Sequence, residues 1–104
     1  MIMPRKVRPK TPVIGDMQYS LGEFLKSELS QRNMRYGEFA KKFARFGRME
    51  TEASIRNKLA RGKFSAVFLL LSLQILRRDR IDLRSIMEAG KRAAGTGREN
   101  ASKT

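Results

Sequence analysis

The chain has 104 residues, with 23 Lys plus Arg against 10 Asp plus Glu and neither His nor Cys, which gives a formal net charge of +13 at pH 7. That length suits a single domain, and the missing His and Cys exclude a disulfide framework, a zinc finger, a thiol nucleophile and an imidazole base. The sequence therefore points to a binding protein with no cofactor or metal, not to an enzyme, and a charge this far from neutral points to a polyanionic partner.

The charge is spread along the chain: segments 1–19, 20–50, 51–76 and 77–104 carry +3, +3, +3 and +4. Residues 1–18 contain Pro4, Pro9 and Pro12 together with Arg5, Lys6, Arg8 and Lys10, and read as a flexible basic arm available to phosphates. The prolines oppose the amphipathic helix of a transit peptide, and the stretch lacks the apolar run of a secretory signal. The expected location is the cytoplasm.

A helical domain is expected over 19–90. Ser20-Leu-Gly-Glu23 has the capping-box pattern, with Tyr19 and Phe24 at staple positions, so a first helix is expected to start there, carry Leu21, Phe24, Leu25 and Leu29 inward, and end near Arg32 or Asn33. Tyr36, Phe39, Ala40, Phe43 and Phe46 recur at helical spacing and define a second helix stopped by Gly47. Thr51 caps a third, with Ile55 and Leu59 inward and Gly62 at its end.

Ser65 caps a fourth helix, Ala66 to about Leu76. It is apolar nearly all round, as expected of a central buried helix or one that also meets a partner subunit, and too short to span a membrane. Asp82 caps a fifth, with Leu83, Ile86 and Met87 inward. Asp79, Asp82 and Glu88 are interleaved with Arg77, Arg78, Arg80 and Arg84, which favours ion pairs and caps over a metal site. Residues 91–104 lack periodicity and read as a disordered tail. The expected fold is all-α, a compact bundle of four to five helices, with helices two and three as a helix-turn-helix.

With Ile55 and Leu59 inward, the opposite face of helix three carries Ala53, Arg56, Asn57, Ala60 and Arg61. Arg pairs bidentately with guanine and Asn with adenine in the major groove, and the small alanines let a helix approach base edges. Lys58 at the margin and Lys63 just beyond the helix are candidate phosphate contacts. An ordinary solvated face is the competing reading of the same residues.

Residues from about Leu25 to Leu76 resemble the helix-turn-helix domains of the lambda-repressor and Cro class, in the Phe39-Ala40 pair, the Ile55 to Leu59 spacing and Leu59-Ala-Arg-Gly-Lys63. The resemblance implies that helix three enters the major groove of double-stranded DNA, with base reading by Ala53, Arg56, Asn57 and Arg61. Ala40 and Ile55 are 15 residues apart, where that class has about ten, so the second helix is longer or the turn looser. More closely, Glu50 to Leu70 resembles the signature of a family of short bacterial domains of unassigned function.

The expected function is a bacterial or phage-type DNA-binding regulator of transcription, acting as a homodimer through helix four, with Phe68 and Leu71 as interface candidates. Two other classes stay open: a protein-interaction module using helices four and five, and an RNA-binding basic protein. The RNA reading is disfavoured because RNA modules expose aromatics for base stacking, whereas the phenylalanines here fall at core spacing.

Overall fold

The computed structural model of the chain describes residues 13–103, and side chains over 15–94. It contains five α-helices: α1 Val13–Gln31, α2 Tyr36–Phe43 continued by a 3-10 turn Ala44–Phe46, α3 Glu52–Arg61, α4 Ala66–Ile75 and α5 Leu83–Lys103. No described residue is in a strand, and no described helix is long and apolar enough to cross a membrane. The all-α bundle expected from periodicity is the observed architecture.

The core is one cluster. Phe24, Leu25 and Leu29 of α1 meet Phe39, Ala40 and Phe43 of α2, Ile55 and Leu59 of α3, Phe68, Leu73 and Leu76 at α4, and Ala89 of α5. Burial of each large side chain is worth about 1.5–3 kcal/mol. Phe43 stacks on Phe68 at a centroid distance of 5.0 Å and meets Phe39 edge-on, also at 5.0 Å. Phe68 is thus fully buried, and the expectation that it supplies a dimer interface is corrected. Leu71 is half-buried, and the exposed large apolar side chains of α4 are Val67 and Leu70.

Three predicted caps are present. Thr51 Oγ1 accepts from the Ser54 amide at 3.0 Å, Ser65 Oγ from the Phe68 amide at 3.0 Å, and Asp82 Oδ1 from the Ser85 amide at 2.8 Å. The Ser20 capping box is not. α1 begins at Val13, and Ser20 is a buried residue inside it. A side chain on Gly90 would collide with Ser20, and one on Gly22 with the Leu59 carbonyl. Ser20 and Gly22 are small because α5 and α3 cross α1 there at close range, not because a helix starts there.

Gly90 lies at the contact of α5 with α1, the most extensively contacted partner of α5, and the helix continues to Lys103. Leu83, expected inward, is exposed, and Ala89 takes the buried position.

The helix ends show one motif three times. Met34 N–H bonds the Leu29 carbonyl at 3.0 Å, Arg48 N–H that of Phe43 at 3.2 Å, and Arg78 N–H that of Leu73 at 2.8 Å. In each the preceding residue is left-handed: Asn33 (φ 53°), Gly47 (φ 76°) and Arg77 (φ 60°). Gly and Asn adopt this region readily; for Arg it costs about 1–2 kcal/mol.

Candidate nucleic-acid interface

α3 presents the face expected of it. Ile55 and Leu59 are sealed in the core, while Ala53, Arg56, Asn57, Ala60 and Arg61 are all exposed, as is Lys63 beyond the Gly62 stop. Gly62 is left-handed at φ 65° and lies so close to the Gln18 carbonyl that a side chain has no room. α3 is therefore held at both ends, by Thr51 at its start and by contact with α1 at its finish.

The loop leading into α3 is fixed by an ion cluster. Lys58 Nζ donates to both carboxylate oxygens of Glu50 at 2.9 Å, Arg48 Nε donates to Oε2 at 2.9 Å, and Ser54 Oγ donates to Oε1 at 2.7 Å. The Glu50 side chain is only 3% exposed. Burial raises the pKa of its carboxyl, but the hydrogen bonds from Ser54, Lys58 and Arg48 outweigh it and hold it below its ordinary value of 4.5. Arg48 and Lys58 also lie 5.6 and 5.2 Å from the centre of the Phe68 ring. The connection between the 3-10 turn and α3, residues 47–51, is thus a braced segment.

That bracing relocates one expected contact. Lys58, a phosphate candidate from sequence, is half-buried with its ammonium committed to Glu50 and Ser54. Lys63, Arg61 and Asn57 remain exposed, and neither Lys63 nor Arg61 forms an ion pair among the described residues. Arg56 is exposed but engaged: it pairs with Glu52 at 2.8 Å and lies 5.5 Å from the centre of the Tyr36 ring. Both partners of that pair are more than half exposed, so the pair is weak and easily exchanged for another anion. Arg5, Lys6, Arg8 and Lys10 lie outside the described residues.

Sequence reasoning missed Arg35. It precedes α2 as its N-cap, offers no side-chain acceptor to the first-turn amides, and is exposed. It shares with Lys26, Tyr36, Glu52 and Arg56 a groove of about 380 Å³, so the start of α2 and the first turns of α3 form one basic margin. The available signal was an Arg where a helix start favours Ser, Thr, Asp or Asn. Phe46 was also misplaced: counted inward, it is exposed at the end of the 3-10 turn.

No curated protein and no solved structure matches the chain. Residues 20–81, which run from within α1 past α4 and make up more than half of the chain, match the family described as "Domain of unknown function (DUF6471)", and the protein belongs to that family.

Proposed function

We propose that the protein is a DNA-binding regulator of transcription, a binding protein and not an enzyme, in which α2 and α3 act as a helix-turn-helix with a long, braced turn. α3 enters the major groove, Arg56, Asn57 and Arg61 read base edges, and Ala53 and Ala60 keep the helix axis close to them. Lys63, Arg35 and the arm residues Arg5, Lys6, Arg8 and Lys10 neutralise phosphates, with Arg35 replacing Lys58 in that role. The observation that carries the reading is the outward face of α3, where two arginines, an asparagine and two alanines stand exposed on a helix fixed at both ends. The net charge of +13 supports it.

Since a single small module buries roughly 600–1,000 Å² on DNA, tight operator binding calls for two copies. Val67 and Leu70, three residues apart on the exposed side of α4, supply an apolar stripe for a homodimer.

The test is a salt titration of binding to random duplex DNA, with selection of preferred sites from a genomic library. A steep fall of affinity with salt and an enriched sequence are expected. Undetectable duplex binding at low salt would overturn the proposal.

A further inference from the structure

A second basic site lies on elements other than the α3 face. Lys42 from the end of α2, Arg45 and Phe46 from the 3-10 turn, and Gln74, Ile75 and Arg77 from the end of α4 enclose a pocket of about 260 Å³. Its lining has three cations and no acidic residue, and none of the three forms an ion pair among the described residues. Phe46 is 43% exposed and is the one exposed ring among the chain's six phenylalanines.

Helix dipoles account for part of this, because cations are favoured near helix C-termini. They do not account for Arg77. A glycine there would relieve its left-handed backbone, as Gly47 does at the equivalent place after the 3-10 turn. Nor does a dipole explain a large apolar ring left in water between cations. A strained cation and an exposed aromatic at one pocket are the pairing that recognises a phosphate and a base together.

We infer that this pocket binds one phosphorylated nucleoside, with the base against the Phe46 ring and the phosphate on Lys42, Arg45 and Arg77. Gln74 offers a donor and an acceptor to the base edge. At about 260 Å³ the pocket lies just below the roughly 300–1,000 Å³ of sites that bury a drug-sized ligand, so it holds part of a nucleotide and leaves the rest in solvent. The nucleotide is either free or one unit of a single strand, and the chemistry is the same for both. The inference goes beyond the duplex-binding proposal and shares no residue with it.

The experiment uses the full chain with three probes: a set of nucleoside 5′-monophosphates, a four-nucleotide single strand and inorganic phosphate. The variants are Arg77→Gly, Phe46→Ala and Asn57→Ala, and thermal midpoints and affinity for duplex DNA are measured in parallel. Arg77→Gly is expected to weaken nucleotide binding at least about tenfold while raising the midpoint by roughly 4 °C, so lost binding is not lost folding. Phe46→Ala is expected to weaken nucleotide binding about five- to 100-fold and leave phosphate binding unchanged. Asn57→Ala should affect only the duplex. Binding of the free monophosphates identifies a small-molecule site, and binding of the strand alone identifies a single-strand site; either supports the inference. It is overturned if neither binds, if phosphate binds as tightly as the nucleotides, or if Arg77→Gly leaves binding intact. Loss of duplex affinity in Arg77→Gly equal to that in Asn57→Ala also overturns it, because the pocket would then be part of the duplex surface. Absent duplex binding with intact nucleotide binding would defeat the DNA proposal alone.

Discussion

Lys58 Nζ lies 2.9 Å from both carboxylate oxygens of Glu50, eight residues earlier in the chain. This pair ties the end of the α2–α3 connection to the middle of α3, and Arg48 and Ser54 complete the ring of donors around the same carboxylate. Glu50→Gln removes the charge from a side chain nearly sealed from water, and is expected to cost about 2–4 kcal/mol, toward the low end for a buried pair because both cations keep some solvent. Urea unfolding at pH 7 measures it.

The same carboxylate predicts an acid sensitivity. Its pKa in the folded chain is lowered, so its stabilisation is fully present above its unfolded value near 4.5 and is lost as pH falls through the folded value. Asp82 acts in the same direction, its carboxyl lowered first by the Ser85 amide and then by the Ser85 hydroxyl. The stability gap between the native chain and Glu50→Gln should therefore be constant from pH 7 to about pH 5 and narrow below it. A gap that stays constant down to pH 3 would count against the assignment.

Two left-handed glycines separate backbone strain from packing. Gly47 has open space around it at φ 76°, whereas Gly62 at φ 65° faces the Gln18 carbonyl. Gly47→Ala is expected to cost about 1–2 kcal/mol from φ alone. Gly62→Ala adds a collision of backbone with side chain, and should cost about 3 kcal/mol or more. Equal thermal midpoints for the two variants would contradict the close approach of α1 to the end of α3.

The α3 face predicts a division of labour. Arg56→Ala and Asn57→Ala should each reduce discrimination between the selected site and random duplex by about 1–3 kcal/mol. Lys63→Ala, Arg35→Ala and deletion of residues 1–10 should weaken all duplexes alike and flatten the salt slope. Lys58→Ala belongs to neither group: it should lower stability, because it strips Glu50 of the cation that bridges both its oxygens, and leave the salt slope of the folded protein unchanged. Paired binding and unfolding measurements distinguish these outcomes.

The helical signals were legible where they were local. Thr51, Ser65 and Asp82 cap as expected, because a side-chain oxygen three residues before an amide is a matter of sequence spacing alone. Ser20 was not legible in that way. It carries a local capping signal, yet it is there because α1 and α5 touch where it meets Gly90, a contact between residues seventy positions apart. Lys58 and Phe46 were misassigned similarly. A helical wheel gives the direction of a side chain, but not whether a loop carboxylate such as Glu50 covers it, nor where a helix such as α2 tightens into a 3-10 turn.

The exposed side of α4 gives the last prediction. Val67 and Leu70 are 57% and 63% exposed, while Phe68 between them is sealed in the core. A dimer built on this stripe should dissociate in Leu70→Asp with the thermal midpoint of the monomer nearly unchanged, since an exposed position contributes little to folding. Phe68→Ala should instead cost about 3–5 kcal/mol of fold stability, and its effect on association would be indirect. Sedimentation across a concentration series, run alongside thermal unfolding, reads both quantities. If the native chain is monomeric at high concentration both free and on a two-fold operator, α4 is not the interface. If Leu70→Asp leaves a dimer intact, the second copy is held by another surface.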